Sequence, residues 1–293
     1  MHGLTKRYGR RVGIEDLGLS VPEGALFGFL GPNGSGKTTT IRVLLSLLRP
    51  TRGRATILGR DCWRQGPRIK RDVGYVPGDF RFYPWMNLRT AVRIFGLVRR
   101  RDLSKAGQAM AERFDLEPDV VVRRMSRGMR QKLALILALV HRPNVLVLDE
   151  PTSSLDPLMQ QVLFDELRER SAQGTTVFFS SHTLSEVDEL CDRVAILRKG
   201  RLVVAESLDK LRSRARRAVT LRWASTDDAA RAIAPPFLSV IERSGAEWQC
   251  TLSGTAMEFV RWSGTQPLAD VTIGPPDLET VFRGFYTDTA GAS

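Results

Sequence analysis

Residues 31–38 read Gly-Pro-Asn-Gly-Ser-Gly-Lys-Thr, which sets three glycines immediately ahead of a lysine and a hydroxyl. The spacing is GxxxxGK[ST], in which glycines let backbone N–H groups converge on a phosphate chain that any Cβ would crowd. Gly31, Pro32, Asn33, Gly34, Ser35 and Gly36 would form this cradle. Lys37 would reach the β/γ-phosphates of a nucleoside triphosphate, and Thr38, followed by Thr39, would offer a hydroxyl to Mg²⁺. A cradle alone hydrolyses nothing; it needs a carboxylate for the metal and a group that orients water. Residues 145–151, VLVLDEP, supply both. Asp149 would serve Mg²⁺ directly or through water, and Glu150 would polarise the attacking water.

The flanking sequence must position these groups. Ala25 to Leu30 is an apolar run that predicts a buried strand, and Thr39 to Leu48 carries apolar residues at helical spacing. The glycines therefore fall at a strand-to-helix turn, where the positive end of the helix dipole adds to the pull on an anion. The apolar residues 145–148 predict a buried parallel strand, with Asp149 and Glu150 at its C-terminal end, where open α/β sheets place their ligands. Thr176 to Ser181 predicts a further buried strand, ending at His182. Arg127 to His141 predicts a helix capped by Ser126, with Leu133, Ile136, Leu137 and Val140 as its apolar stripe. Asn87 to Val98 and Ala106 to Phe114 are amphipathic at helical spacing.

At 293 residues and 42% apolar composition, the chain can bury a nucleotide-type core and a smaller second body. The longest apolar run, Leu133 to Val140, falls far short of the roughly 20 residues that span a bilayer. The first residues, MHGLTK, do not resemble a secretion signal, so any membrane role requires a partner. Cys62, Cys191 and Cys250 are isolated from one another and have no metal-ligand spacing, which suits a reducing compartment and structural roles. The formal charge of +12 invites a nucleic-acid or anionic-surface reading. The basic clusters lack interleaved aromatics, however, so a solvated face is expected and nucleic acid is not.

With these motifs in place, residues 3–210 resemble the ATP-binding subunits of ABC transporters. Met125-Ser-Arg-Gly-Met-Arg-Gln131 is similar to that family's signature, LSGGQ, which other P-loop ATPases lack. The resemblance implies that Ser126 and Gly128 face the γ-phosphate of ATP held by a second subunit, so that two sites form across a head-to-tail homodimer. Ser153-Ser-Leu-Asp156 resembles the loop that links those sites. His182 matches a switch histidine that contacts the γ-phosphate, and Tyr8 matches the aromatic residue that stacks on adenine. The resemblance thus implies ATP and Mg²⁺ as ligands, with Lys37, Glu150 and His182 catalytic and Thr38 and Asp149 at the metal. It further implies a helical subdomain at about 79–140 and separate transmembrane permease subunits, with this chain peripheral on the cytoplasmic face of the membrane.

Two departures stand out. Family chains open with several more residues in a first strand, whereas here the resemblance begins almost at Met1, which leaves open an incomplete edge or a late start. In Val73-Gly-Tyr-Val-Pro77-Gly78-Asp79, glycine stands where the family has a glutamine or glutamate that helps position Mg²⁺ and water. Asp79 partly substitutes for it on this reading, or hydrolysis is slow without the membrane partner. The aromatic turn of Phe80, Phe82, Tyr83, Pro84 and Trp85 suits either a coupling helix of the permease or packing under the helical subdomain.

Past residue 210 the basic stretch 211–217 reads as a linker, and residues 218–293 as an accessory domain. Val219, Leu221 and Trp223 alternate with polar residues, as do Trp248, Cys250 and Leu252. Helices near 227–234 and 255–263, with strands near 237–243 and 268–273, complete a β-α-β-β-α-β order that fits a small ferredoxin-like domain. Leu278, Val281, Phe282 and Phe285 then share one helical face. This ending, and the charged residue within the signature, resemble drug-exporter ATPases of the daunorubicin-resistance type.

The fold expected is therefore an α/β P-loop NTPase core with a helical subdomain and a small α+β C-terminal domain. The function expected is an ATPase subunit powering export through a separate permease. One rival, an ABC ATPase acting on ribosomes or DNA, suits the basic charge but would bring paired cassettes or a long coiled-coil insertion. A second, a nucleotide-binding regulator without turnover, is suggested by Gly78 but sits poorly with Lys37, Asp149, Glu150 and His182.

Overall fold

The computed structural model describes residues 1–287, with side chains through residue 282, and divides the chain into two units, 1–205 and 206–293. The first unit runs β1 (His2–Tyr8), β2 (Arg11–Leu17), β3 (Leu26–Leu30), α1 (Lys37–Leu44), β4 (Arg52–Arg54), β5 (Thr56–Ile57), β6 (Arg60–Asp61), α2 (Gly66–Asp72) and β7 (Val73–Val76). It continues with α3 (Leu88–Arg99), α4 (Ser104–Arg113), a 3₁₀ turn (Val122–Arg124), α5 (Arg127–Leu139), β8 (Val145–Asp149), α6 (Pro157–Ala172), β9 (Thr176–Ser181), α7 (Leu184–Leu190) and β10 (Arg193–Arg198). The edge strand β11 (Arg201–Ser207) crosses into the second unit.

A six-stranded sheet in the order β11-β10-β3-β9-β8-β7 forms the centre, with β10, β3, β9, β8 and β7 pairing in parallel. Strands β3, β8 and β9 are buried along their whole length, as expected for parallel strands covered on both faces. Phe27 and Phe29 of β3 pack on Phe178 of β9, with ring centroids 5.9 and 4.9 Å apart. A separate antiparallel sheet, β2-β1-β4, adds Leu4, Ile14 and Leu17 to the same core. Its β1 is the middle strand, paired on both sides.

Local chemistry accounts for the helix starts. Asn87 caps α3 by accepting from Thr90 N–H, Ser126 caps α5 by accepting from Met129 N–H, and Asp156 caps α6 by accepting from Met159 N–H. Helix α5 departs from the expected stripe, because Leu133 through Leu139 are all buried. It is enclosed by β7 on one side and by α3 and α4 on others, so it has no solvated face along this stretch. Helix α1 starts at Lys37, two residues before the expected Thr39, and its lysine is in the first turn.

The second unit holds α8 (Leu208–Arg214), β12 (Arg217–Trp223), α9 (Thr226–Arg231), β13 (Leu238–Ser244), β14 (Glu247–Leu252), α10 (Ala256–Ser263), β15 (Leu268–Pro276) and α11 (Leu278–Thr287). The stretch expected as a linker is thus the end of α8 and the start of β12, with Leu208 and Leu211 buried as anchors of that helix. The sheet order is β13-β14-β12-β15 and each neighbouring pair is antiparallel. The alternation in β12 and β14 buries Val219, Leu221, Trp223, Trp248, Cys250 and Leu252 around Phe259 of α10. Trp223 meets Trp248 edge-on at 4.9 Å and Trp262 at 6.5 Å. In α11, Leu278 and Phe282 are buried; Phe285 lies outside the described side chains.

Candidate functional site

The site is built at the C-terminal ends of β3, β8 and β9, which lie side by side in the sheet. Gly36 at φ +111° and Gly34 at φ +79° occupy backbone conformations that side chains disfavour. A Cβ on Gly31 would stand 2.4 Å from the Leu197 carbonyl oxygen, so only glycine fits where the loop leaves β3. Pro32, Asn33, Gly34 and Thr38 are exposed, whereas Ser35 and Lys37 are buried.

Lys37 is only 4% exposed, and its Nζ donates to the Gly31 carbonyl at 2.6 Å. Nζ also lies 3.3 Å from Glu150 Oε1, and the other carboxylate oxygen, Oε2, lies 3.3 Å from His182 Nδ1. Lys37, more than a hundred positions away in sequence, and His182 are thus joined through the one carboxylate of Glu150. Glu150 has φ +52°, the left-handed region, which turns the chain sharply off the end of β8. Its N–H bonds to Ser180 O at 3.1 Å and its carbonyl accepts from Ser153 N–H at 3.2 Å.

Asp149 is 1% exposed. Its Oδ1 accepts from Ser180 Oγ at 2.7 Å, while Oδ2 is buried without a hydrogen-bond partner, as is Ser35 Oγ. Unpaired buried oxygens are uncommon and mark a position suited to a cation or water. Burial first, and the Asp149 charge second, push the neighbouring Tyr75 hydroxyl up to about 12. No group of three or more His, Cys, Asp or Glu side chains able to hold a metal exists among the described residues. A divalent ion here would therefore depend on phosphate oxygens for much of its shell.

Tyr8, at the end of β1, is 45% exposed with Lys6 Nζ 5.4 Å from its ring centre. A Cβ on Gly13 would stand 2.9 Å from Tyr8 Cε2 and 3.2 Å from Thr39 Cγ2, so the ring and the first turn of α1 converge on that glycine. Gly78 lies beside Asp149: its Cβ position would be 3.4 Å from Asp149 O and 3.5 Å from Oδ2. Gly78, Asp79, Phe80, Arg127, Arg130, Gln131 and Ser153 line a cleft of 210 Å³. Ser126 bonds within its own helix, and Gly128 abuts the Ser154 carbonyl; among the described residues, neither hydrogen-bonds to the glycine-rich loop 31–38. Sequence reasoning missed Ser180, whose register opposite Asp149 on the neighbouring strand was the available signal. It also missed a role for Gln131, whose bond to Pro151 nothing in local sequence announces.

This arrangement fits a phosphate-binding loop with its carboxylates, and the similarities to known proteins specify it further. The family model described as ABC transporter matches residues 14–153. The daunorubicin resistance ATP-binding protein DrrA3 of Streptomyces coeruleorubidus is 37% identical over 242 residues, 80% of this chain and 76% of that protein. The chain belongs to the ABC transporter ATP-binding family. The Nod factor export ATP-binding protein I of Bradyrhizobium diazoefficiens is 32% identical over 286 residues, spanning 96% of this cassette and 93% of its relative. A solved ATP-binding subunit of an ABC transporter superposes with a TM-score of 0.67 at 28% identity, covering 72% of this chain and 90% of that one. This cassette is an ATP-binding and ATP-hydrolysing subunit of an export-type transporter.

Proposed function

We propose that Lys37, Glu150 and His182 carry ATP hydrolysis in this cassette and that the work drives efflux through a separately encoded permease. The observation that supports this best is the Glu150 carboxylate held at 3.3 Å by both Lys37 and His182. Lys37 binds the β/γ-phosphates, Glu150 accepts a proton from the attacking water, and His182 orients that carboxylate and reads the γ-phosphate. Gly31 through Thr39 cradle the phosphates, and Tyr8 stacks on the base. Thr38 and Asp149 would hold Mg²⁺, a reading supported by the unpaired Asp149 Oδ2. When bound, Mg²⁺ would neutralise charge developing on the phosphate oxygens.

Ser126 and Gly128 complete the site of a second copy, so the working unit is a homodimer. The exposed, stacked pair Tyr83 and Trp85, 66% and 59% exposed with centroids 5.7 Å apart, supports the aromatic turn as a docking point for the permease. No described helix is long and apolar enough to cross a membrane; the likeness to ABC transporter ATP-binding proteins supports a peripheral subunit on the cytoplasmic face. We read residues 218–293 as a ferredoxin-like accessory domain; the β-α-β-β-α-β order and the sheet order β13-β14-β12-β15 support it.

Glu150→Gln tests the central role. The amide keeps the size of the carboxylate but cannot take a proton, so turnover falls at least about a hundredfold. ATP binding persists, and an ATP-dependent dimer accumulates in light scattering. Hydrolysis at the normal rate would show that Glu150 has been given the wrong role.

A further inference from the structure

Gln131 lies in the second turn of α5, is 4% exposed, and donates from Nε2 to the Pro151 carbonyl at 2.7 Å. Pro151 directly follows Glu150, whose left-handed backbone persists only where its surroundings hold it. Three bonds do the holding. Glu150 N–H to Ser180 O ties the turn to β9, Ser153 N–H to Glu150 O closes it, and Gln131 fastens it to α5. The same helix meets this loop again at Gly128, where a Cβ would stand 2.9 Å from the Ser154 carbonyl oxygen. The first two turns of α5 are therefore attached to loop 150–154 at two points, one of close backbone approach and one of hydrogen bonding.

We infer that Gln131 is a positioning residue, which carries the placement of the Ser126 end of α5 to the Glu150 carboxylate of the same chain. The inference rests on the reading of Glu150 as the group that activates water. A helix moves as a rigid rod over two turns, so a shift at Ser126 displaces Gln131, the Pro151 carbonyl and the adjoining Glu150 together. Engagement of the capped helix end by a second copy would then set the geometry of this copy's own hydrolytic carboxylate.

The test uses the full chain and steady-state phosphate release. Gln131→Leu removes the donor, and kcat falls about tenfold or more, because small misplacements of a reacting group are costly in rate. The KM for ATP and the affinity for a non-hydrolysable ATP analogue stay within about twofold. Gln131→Glu loses the donor at neutral pH, but a protonated carboxyl can donate to the Pro151 carbonyl. Its rate relative to wild type therefore climbs as pH falls, while the ratio for Gln131→Leu stays flat. An unchanged kcat, an equal loss of analogue binding, or a flat ratio for Gln131→Glu would each overturn the inference. Should Gln131→Leu fail to fold, the pH profile of Gln131→Glu decides alone. Wild-type hydrolysis that is insensitive to Glu150→Gln removes the hydrolytic reading and this inference with it. Sensitivity to Glu150→Gln with indifferent Gln131 variants removes this inference only.

Discussion

Gly78→Gln places an amide at the position where the family resemblance implies a glutamine or glutamate and where this chain has glycine. No left-handed φ is required at Gly78, and a Cβ there would meet Asp149 O at 3.4 Å and Oδ2 at 3.5 Å, ordinary contact distances. The backbone thus accepts the side chain without strain, and the 210 Å³ cleft beside it gives the chain room. Asp149 Oδ2 has no hydrogen-bond partner. An amide reaching the lone pair of this oxygen that Mg²⁺ would leave free gains a charge-assisted bond of about 1.5–3 kcal/mol. Ordering a long exposed side chain offsets about 1 kcal/mol of that. If the remainder acts in the transition state, the rate rises by about tenfold. The assay is basal phosphate release by Gly78→Gln and Asp79→Ala beside wild type, with kcat and KM resolved. The glutamine variant should gain in kcat at near-constant KM, and Asp79→Ala should lose. Two unchanged rates would refute the reasoning that Gly78 slows the cassette and that Asp79 partly replaces the missing amide.

Two further outcomes follow from the geometry. Tyr8→Ala removes an exposed ring held against Gly13; base–aromatic stacking of about 1–3 kcal/mol predicts a KM for ATP raised about tenfold with kcat little changed, and Tyr8→Leu giving the wild-type KM would count against stacking. His141 is 4% exposed, and burial first, then the Arg99 charge, lower its pKa from 6.5 to about 4. The unfolded chain binds this proton near 6.5 while the folded chain does not until about 4, so the stabilisation is complete above 6.5 and is lost as pH falls between these values. Over the full window this amounts to about 3 kcal/mol, of which about 2 should be gone at pH ~5. Urea unfolding of wild type and His141→Asn at pH ~5 and ~7.5 should show the smaller pH slope in the variant, and equal slopes would contradict it.

Much of the site is legible in sequence because its parts are local. The glycine loop, the strand-end pair Asp149 and Glu150, and His182 each declare themselves through an apolar run that stops at a polar residue. Their convergence is not local: it depends on β3, β8 and β9 being neighbours, which no segment records by itself. Beside Ser180, three features are hidden from the sequence for distinct reasons. The basic stretch 211–217 conceals the end of α8 because arginine is a good helix former, and the anchoring Leu208 and Leu211 lie at or before its edge. A four-residue stripe is too narrow for α5 because a helix surrounded by other elements buries residues at every phase, and periodicity then loses its meaning. Gln131 looked like one more polar residue in the signature, since only the folded chain reveals the carbonyl it meets.

The tryptophans offer a practical reporter system. Trp223 and Trp248 are nearly sealed from solvent within the second unit and Trp262 packs on them, whereas Trp63 and Trp85 of the first unit are 46% and 59% exposed. Emission from the chain should therefore divide into a blue, quencher-resistant component and a redder one that iodide or acrylamide extinguishes. The first follows melting of residues 206–293; the second, through Trp85, would shift when a protein covers the aromatic turn. One unlabelled sample could thus distinguish unfolding of the C-terminal unit from capture by a membrane partner.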